Sequence, residues 1–315
     1  MVQHEIRKND LPEPDGVLIV NKHAGATSHD IVGGIRHIYH TRKVGHTGTL
    51  DPMAEGVLVV LLGRAAKAAE YLVSDRKTYR ATLRLGITTD TEDTTGTVLT
   101  KADTLPNAET VKAICRERFV GKIAQIPPMY SALKVNGQKL CDLARQGKTV
   151  ERQAREIEIF SLLCEPVPDS PSDYTLTVTC SSGTYIRTLC ADIGASLGVG
   201  GVMASLTRLE AGGYRIEDAV RISTLREESA DALYARLLPT ESLFDSYAAL
   251  SLPEFYERLI RNGCSVAQKK LRTHFPIGDR VRLCSSSGHF FGLGEVLPSE
   301  ESPDGAIKCI KFFSL

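Results

Sequence analysis

No apolar run in this chain is long enough to cross a bilayer. The longest, Val57–Leu62, is six residues, against about 20 for a spanning helix. The first ten residues, MVQHEIRKND, are polar and charged and carry no signal-peptide apolar region. A cytoplasmic location with no membrane partner is therefore expected. Neither sign of charge dominates: Lys+Arg and Asp+Glu both number 38. A nucleic-acid partner thus leaves no global footprint, and any basic surface must be local. The eight cysteines (Cys115, Cys141, Cys164, Cys180, Cys190, Cys264, Cys284, Cys309) include no C-x-x-C pair. That argues against a zinc site and a disulfide framework, and fits reduced thiols. A G-x-G-x-x-G fingerprint, internal repeats, low-complexity tracts and long like-charge runs are also missing.

What is present suffices for one large domain and a small one: 315 residues, 42% of them apolar. Residues 1–15 read as a disordered lead-in, with Pro12 and Pro14 flanking acidic residues. Val17–Asn21 reads as a strand. Thr27-Ser28-His29-Asp30 fits a capping box opening a helix to about Tyr39. Val57–Leu62 reads as a buried strand and Arg64–Ser74 as a helix. Thr78–Leu85 alternates like a strand and enters a Thr/Asp/Gly loop at Ile87–Gly96. Asn107–Phe119 is helical in pattern. Gly121–Lys148, with Pro127-Pro128 and several cations, reads as a protruding segment. Arg155–Leu163 and Tyr174–Cys180 alternate as strands, Tyr185–Leu197 is helical, and Leu206–Tyr214 is a further strand. Without regular βαβ alternation the class is α+β. A boundary is placed near Tyr247–Leu252, giving residues 1–248 and 249–315. Beyond it a short helix (Glu254–Asn262) precedes hairpin pieces at Gly278–Leu283 and His289–Gly294, as in a small β-barrel.

The most informative stretch is Val44-Gly45-His46-Thr47-Gly48-Thr49-Leu50-Asp51-Pro52. One carboxylate, Asp51, closes a polar loop that leads into a buried strand, and Pro52 fixes the next φ angle. A turn whose Asp caps a local N–H has the same composition. The stretch GHTGTLDP followed by GVLVV resembles the catalytic motif of the tRNA pseudouridine synthase B family (TruB-like, related to dyskerin). Further motifs follow in order: NK-x-x-G-x-TS at Asn21–Ser28, KTYR at Lys77–Arg80, GxxTDTxDxxG from Gly86, and QIPPMYSALKxNGxxLxxLARxG from Gln125. SGTYIRTL from Ser182 and LTRLxxGxY from Leu206 complete the set, so the resemblance spans nearly the whole chain.

The resemblance implies a pseudouridine synthase fold with a mixed, mainly antiparallel sheet flanked by helices. It also implies an RNA-clasping insertion at about 121–152 and a PUA-like RNA-binding tail over 249–315. The implied reaction isomerises uridine to pseudouridine in the T-loop of tRNA, at position 55. Such chemistry needs a carboxylate near C1′ and a group to remove the C5 proton. It needs no metal and no cofactor. By the resemblance Asp51 is the essential carboxylate. A nearby guanidinium favours the ionised carboxylate and holds it in place, and the motif points to Arg187. By the resemblance Tyr79 is catalytic, stacking on the target base and assisting removal of the C5 proton; an ordinary pKa of about 10 makes a phenol a poor base at neutral pH, which favours stacking. His46 is assigned to base flipping and substrate support, Leu206 to an apolar position behind the base, and Tyr185 and Lys22 to substrate contact, Lys22 as a phosphate partner.

Two cation clusters are candidates for RNA contact. Arg36, His37, His40, Arg42, Lys43 and His46 precede the catalytic loop with no acid between Ile31 and Leu50. Lys134, Lys139, Arg145, Lys148, Arg152 and Arg155 outnumber Asp142 and Glu151 in the insertion. Two positions depart from the family pattern: His23 replaces the usual Pro, and Cys141 a usual Tyr. A stand-alone monomer acting on the tRNA T-stem-loop, with no guide RNA, is expected. An RNA-binding or RNA-folding module with lost catalysis and a C1′-directed glycoside hydrolase are the rival readings. The first is opposed by the intact Asp51, Tyr79 and Arg187 set. The second would need another catalytic acid, and only Glu55 lies near the loop.

Overall fold

The computed structural model describes residues 12–72, 76–131, 133–135, 137–300 and 302–314, without the side chains of Lys134 and Lys139. In chain order the first elements are β1 (Gly16–Lys22), α1 (Ser28–Ile38), β2 (Val44–His46), β3 (Glu55–Leu62), a 3₁₀ segment (Gly63–Tyr71) and β4 (Lys77–Leu85). There follow β5 (Ile87–Thr89), β6 (Val98–Lys101), α2 (Ala108–Arg118), β7 (Gly121–Gln125), β8 (Lys134–Val135), β9 (Gln138–Lys139) and α3 (Leu140–Arg145). Next come β10 (Arg155–Pro166), β11 (Asp173–Cys180), α4 (Ile186–Ser196), β12 (Gly201–Ala211) and β13 (Tyr214–Arg215). Helices α5 (Ile222–Glu227) and α6 (Ala230–Ala235) lead to β14 (Ala248–Ser251), α7 (Glu254–Arg261), β15 (Val266–Ala267) and α8 (Gln268–Leu271). The chain ends with β16 (Arg280–Cys284), β17 (Phe290–Ser299) and β18 (Ser302–Phe312).

The fold is α+β. One mixed sheet runs in the order β1-β3-β12-β4-β11-β10-β7, with β2 added to β3 and β13 to β12. All its pairings are antiparallel except β12 with β3. Strand β3 explains its own unbroken apolar run, because both faces are covered. Leu58, Val60 and Leu62 pack under α1, whereas Val57, Val59 and Leu61 face Ala65 of the 3₁₀ segment. Strand β4 alternates because only one face is buried: Tyr79, Ala81, Leu83 and Leu85 pack against α4 and α2. Helix α1 starts where its capping box requires. Thr27 Oγ1 accepts from the Asp30 N–H at 3.1 Å and Asp30 Oδ2 from the Thr27 N–H at 2.8 Å.

Four expectations change. The Arg64–Ser74 helix is a 3₁₀ segment ending at Tyr71, and Ser74 lies outside the described residues. Ala65 packs against Val57, Val59 and Leu61 of β3 and Ala68 against Phe244, neighbours that helix propensity does not register. The protruding segment begins later than Gly121: residues 121–125 form β7, the sheet edge, paired with β10 from Gly121↔Ile159 to Gln125↔Arg155. Ile87–Thr89 leaves the Thr/Asp/Gly loop to form a hairpin with Val98–Lys101. Pro12–Asp15 is tethered rather than a loose lead-in: Tyr234 donates to the Pro12 carbonyl at 2.6 Å, and Asp15 Oδ1 accepts from Arg64 N at 3.0 Å. The rest of that lead-in, residues 1–11, lies outside the described residues.

A second, curled five-stranded sheet, β14-β16-β17-β18-β15, occupies the C-terminal region. Aromatic packing fastens it to the first sheet. Phe244 is fully buried, with ring centroids 5.4 Å from Phe313 and 5.9 Å from Phe290. Tyr71, at the end of the 3₁₀ segment, donates to the Ile310 carbonyl at 3.3 Å, and Glu70 pairs with Lys311. No described helix is long and apolar enough to cross a membrane. Phe244→Ala should lower the unfolding free energy by about 3–5 kcal/mol, read from the urea midpoint. The loss should be accompanied by earlier exposure of the C-terminal strands in hydrogen exchange.

Candidate active site

Asp51 sits in a loop with almost no regular structure, so its place depends on side chains reaching in from elsewhere. Ser28, at the start of α1, holds Leu50 from two directions: its Oγ accepts from the Leu50 N–H at 2.9 Å and donates to the Leu50 carbonyl at 3.2 Å. Lys22, at the end of β1, donates to the carbonyls of His23 (3.0 Å), Pro52 (3.3 Å) and Ala54. Arg208, on β12, donates to the carbonyls of Gly48 (3.0 Å), Thr49 (3.4 Å) and Val57 (2.6 Å). The loop is thus held at its start, its middle and its end.

The role given to Lys22 requires correction. Its side chain is fully buried, and its three ammonium protons have three carbonyl acceptors. It cannot meet a phosphate; it braces the loop from below. Burial lowers its pKa, with Asp51 and Glu55 pulling the other way. His23, the departure from the family pattern, contributes its backbone carbonyl to this brace.

Arg187, at the first turn of α4, meets Asp51 in a two-pronged ion pair, Nε to Oδ2 at 2.9 Å and NH2 to Oδ1 at 3.2 Å. The guanidinium is almost completely buried, with 6% of its side chain exposed, whereas Asp51 keeps 34%. The pair therefore presents a carboxylate to solvent from a rigid, buried base. The other Arg187 donors reach the carbonyls of Thr91 (3.2 Å) and Tyr130 (2.8 Å). A second carboxylate, Asp93, places Oδ2 4.0 Å from Arg187 Nε. Its Oδ1 accepts from Thr91 Oγ1 at 2.7 Å and from Thr95 N at 2.9 Å, which shapes the Thr/Asp/Gly loop.

Tyr79 on β4 lies in the same buried cluster as Leu50 and Leu206, so the structure gathers Asp51, Tyr79, Arg187 and Leu206 around one end of β4 and β12. Burial pushes the Tyr79 phenol above its ordinary pKa, and the neighbouring Arg208 opposes that shift. The phenol is protonated at neutral pH. Tyr185 caps α4, and Gln125 brackets its backbone, accepting from the Tyr185 N–H at 2.8 Å and donating to its carbonyl at 3.1 Å. His46, half-buried on β2, sits opposite Val60. Burial lowers its pKa, and Arg208 and His29 lower it further.

Asp93, Gln125, the Tyr130 carbonyl and Arg208 are parts of this arrangement that sequence reasoning did not single out, although each lies inside a quoted motif. A cleft of about 560 Å³ opens elsewhere along α4, lined by Glu92, Arg152, Thr188 and Asp192, with the Asp192 carboxyl pushed up to about 6 by burial. Neither Asp51 nor Tyr79 is in its wall. Among the described residues no group of three or more His, Cys, Asp or Glu could hold a metal ion.

The model of the TruB family pseudouridylate synthase N-terminal domain matches residues 36–186. That of the tRNA pseudouridylate synthase B C-terminal domain matches residues 187–245. The tRNA pseudouridine synthase B of Clostridium perfringens (strain 13) is 41% identical over 282 residues, 89% of this chain and 95% of that protein. The same-named protein of Clostridium kluyveri is 39% identical over 300 residues, 95% of this chain and 99% of its own length. Among solved structures, a chain of a Cbf5-Nop10-Gar1 complex superposes with a TM-score of 0.72 at 23% identity, covering 96% of this chain and 90% of that one. A chain of an H/ACA RNP bound to a substrate RNA reaches 0.71 at 20% identity, covering 98% and 89%. These two likenesses establish the fold.

The lowered pKa of His46 gives stability a pH dependence. Between that lowered value and the ordinary 6.5, the unfolded chain binds a proton that the folded chain does not. Stability therefore rises with pH across this window and levels off above 6.5. His46→Gln should flatten that part of the rise, measured as the urea midpoint from pH 5 to 7.5.

Proposed function

The chain belongs to the TruB family of pseudouridylate synthases, and on that premise we propose that it isomerises the T-loop uridine of tRNA, position 55, unaided by a guide RNA. The enzyme class is pseudouridine synthase, and tRNA is the substrate named for its relatives. The observation that carries the reading is the Asp51–Arg187 pair, a part-exposed carboxylate held in two places by a buried guanidinium. In water such a carboxylate would rotate freely; here its face toward the solvent is fixed before substrate arrives, which lowers the cost of reaching the reactive geometry.

The reaction moves the C1′ bond from N1 to C5 of the same base and replaces the C5 proton by one on N1, so no atom is gained or lost overall. Asp51 faces C1′ and supports cleavage of the glycosidic bond with its negative charge. Tyr79, protonated and packed with Leu206, gives the turned base an aromatic face. His46, neutral at pH 7, occupies the space vacated when the nucleotide is extruded. Tyr185 lines the substrate side at the start of α4.

Phosphate contact falls to exposed basic side chains. Arg36 donates to the Val44 carbonyl at 3.2 Å and Arg152 to the Pro127 carbonyl at 2.9 Å, so both serve structure. His37, His40 and Arg42 before the loop, and Lys148 and Arg155 at the base of the insertion, are exposed. We assign residues 1–248 to the catalytic domain, with the clasping part of the insertion beginning after Gln125. Residues 249–315 are assigned to a PUA-like RNA-binding domain. The enzyme acts as a cytoplasmic monomer.

The deciding experiment incubates an unmodified tRNA transcript with the protein and with Asp51→Ala, and maps pseudouridine by carbodiimide labelling and primer extension. The wild type should give one stop at the T-loop uridine. Asp51→Ala should bind the transcript yet lose about 10³-fold or more in rate. A folded wild type that binds without producing the stop would reject the reading in favour of an RNA-binding module. Arg187→Lys, which keeps the charge but not the fork, should cost about 10²-fold in rate.

A further inference from the structure

Arg208 is among the largest fully buried side chains of the protein, with 2% of its surface exposed. A buried guanidinium is costly unless its donors are satisfied. Here they are satisfied by backbone carbonyls of the catalytic loop and the strand that follows it. Its place in the sheet is equally specific. Strand β12 lies between β3 and β4, and at one rung Arg208 is paired with Gly56 on one side and Tyr79 on the other. The backbones of β3 and β12 approach so closely there that a Cβ on Gly56 would lie 2.2 Å from the Arg208 carbonyl oxygen. Gly56 also has a φ of +102°, which glycine alone adopts without strain.

We propose that Arg208 is a positioning residue for the isomerisation, tying Tyr79 to the Asp51 loop so that the aromatic platform and the carboxylate meet the uridine as one unit. The inference rests on the pseudouridine synthase reading above. Arg187 orients the Asp51 side chain; Arg208 orients the backbone that carries it, from Gly48 and Thr49 on one side to Val57 on the other. The same guanidinium faces Tyr79 across the rung and sets the electrostatic surroundings of its hydroxyl. A lysine replaces it only in part. One ammonium has no planar fork to span carbonyls on both sides of the loop.

The test uses Arg208→Gln and Arg208→Lys, each in the wild-type and Tyr79→Phe backgrounds. Two quantities are read: deuterium uptake of residues 44–56, and the single-turnover rate on a T-loop transcript whose Kd is measured in parallel. Uptake in 44–56 should rise by about tenfold or more with the C-terminal strands unchanged. Transcript Kd should stay within about threefold while the rate falls by about 10²-fold for Gln. Lys, which keeps the charge, should fall between Gln and wild type. In the Tyr79→Phe background the loss should shrink, because part of it acts through Tyr79. Unchanged uptake in 44–56, a rate within about threefold of wild type, or equal losses in both backgrounds would overturn the proposal. If Gln does not fold, Lys alone decides by the same readings. A wild type that makes no pseudouridine, with 44–56 still loosened by Arg208→Gln, counts against the substrate reading and leaves the strap itself standing.

Discussion

Arg187 is the interaction on which the site depends. A guanidinium this buried is tolerable only if its donors are met, and the chain meets them from three separate places. Asp51 comes from the loop before β3, Asp93 and the Thr91 carbonyl from the loop after β5, and the Tyr130 carbonyl from the start of the insertion; Arg187 itself heads α4. None of these segments is adjacent in sequence to another. The pair therefore depends on the packing of α4 against both loops and not on any local pattern. The low local polarity strengthens the attraction between the partners. Asp51 keeps 34% of its side chain exposed, against 6% for Arg187 and 8% for Asp93.

Two more buried cations work on the same loop from beneath. Lys22 and Arg208 lie on β1 and β12, the strands that flank β3, and both spend their donors on carbonyls rather than on carboxylates. A loop without ladder hydrogen bonds is thereby given a substitute for secondary structure. The arrangement also sets the field. Burial lowers the pKa of His46, and the Arg208 charge beneath the loop lowers it further. Arg208 thus both holds the loop backbone in place and disfavours the protonated form of His46.

Much of this was legible in one dimension. The β3 run, the alternation of β4, the capping box at Thr27 and the helical pattern of α4 all follow from local preferences that tertiary packing reinforces. The joining of Asp51 to Arg187, separated by 136 positions, came from resemblance; no local pattern carries it. The misreadings share a cause. Lys22, the 3₁₀ segment and β7 were each judged by composition, and in each the neighbour decides. A lysine beside a glycine-containing loop looks solvated until three carbonyls surround it. An alanine-rich stretch looks α-helical, yet between β3 and Phe244 it is a 3₁₀ segment. A five-residue edge strand looks irregular until β10 pairs with it.

The sequence by itself determined the segments with strong local signals, β1, β3, β4, α1, α2 and α4, because period and capping act within a few residues, and it marked a carboxylate, an arginine, a tyrosine and a histidine within ordered motifs. Tertiary structure alone decided their duties. Arg187 and Arg208 are the same residue type, 21 positions apart, and nothing local distinguishes them. One faces a carboxylate with an open side and the other faces carbonyls beneath the loop, because α4 and β12 approach Asp51 from different directions. That difference arises from long-range packing, where a buried charge takes whatever partner the fold brings within about 3 Å.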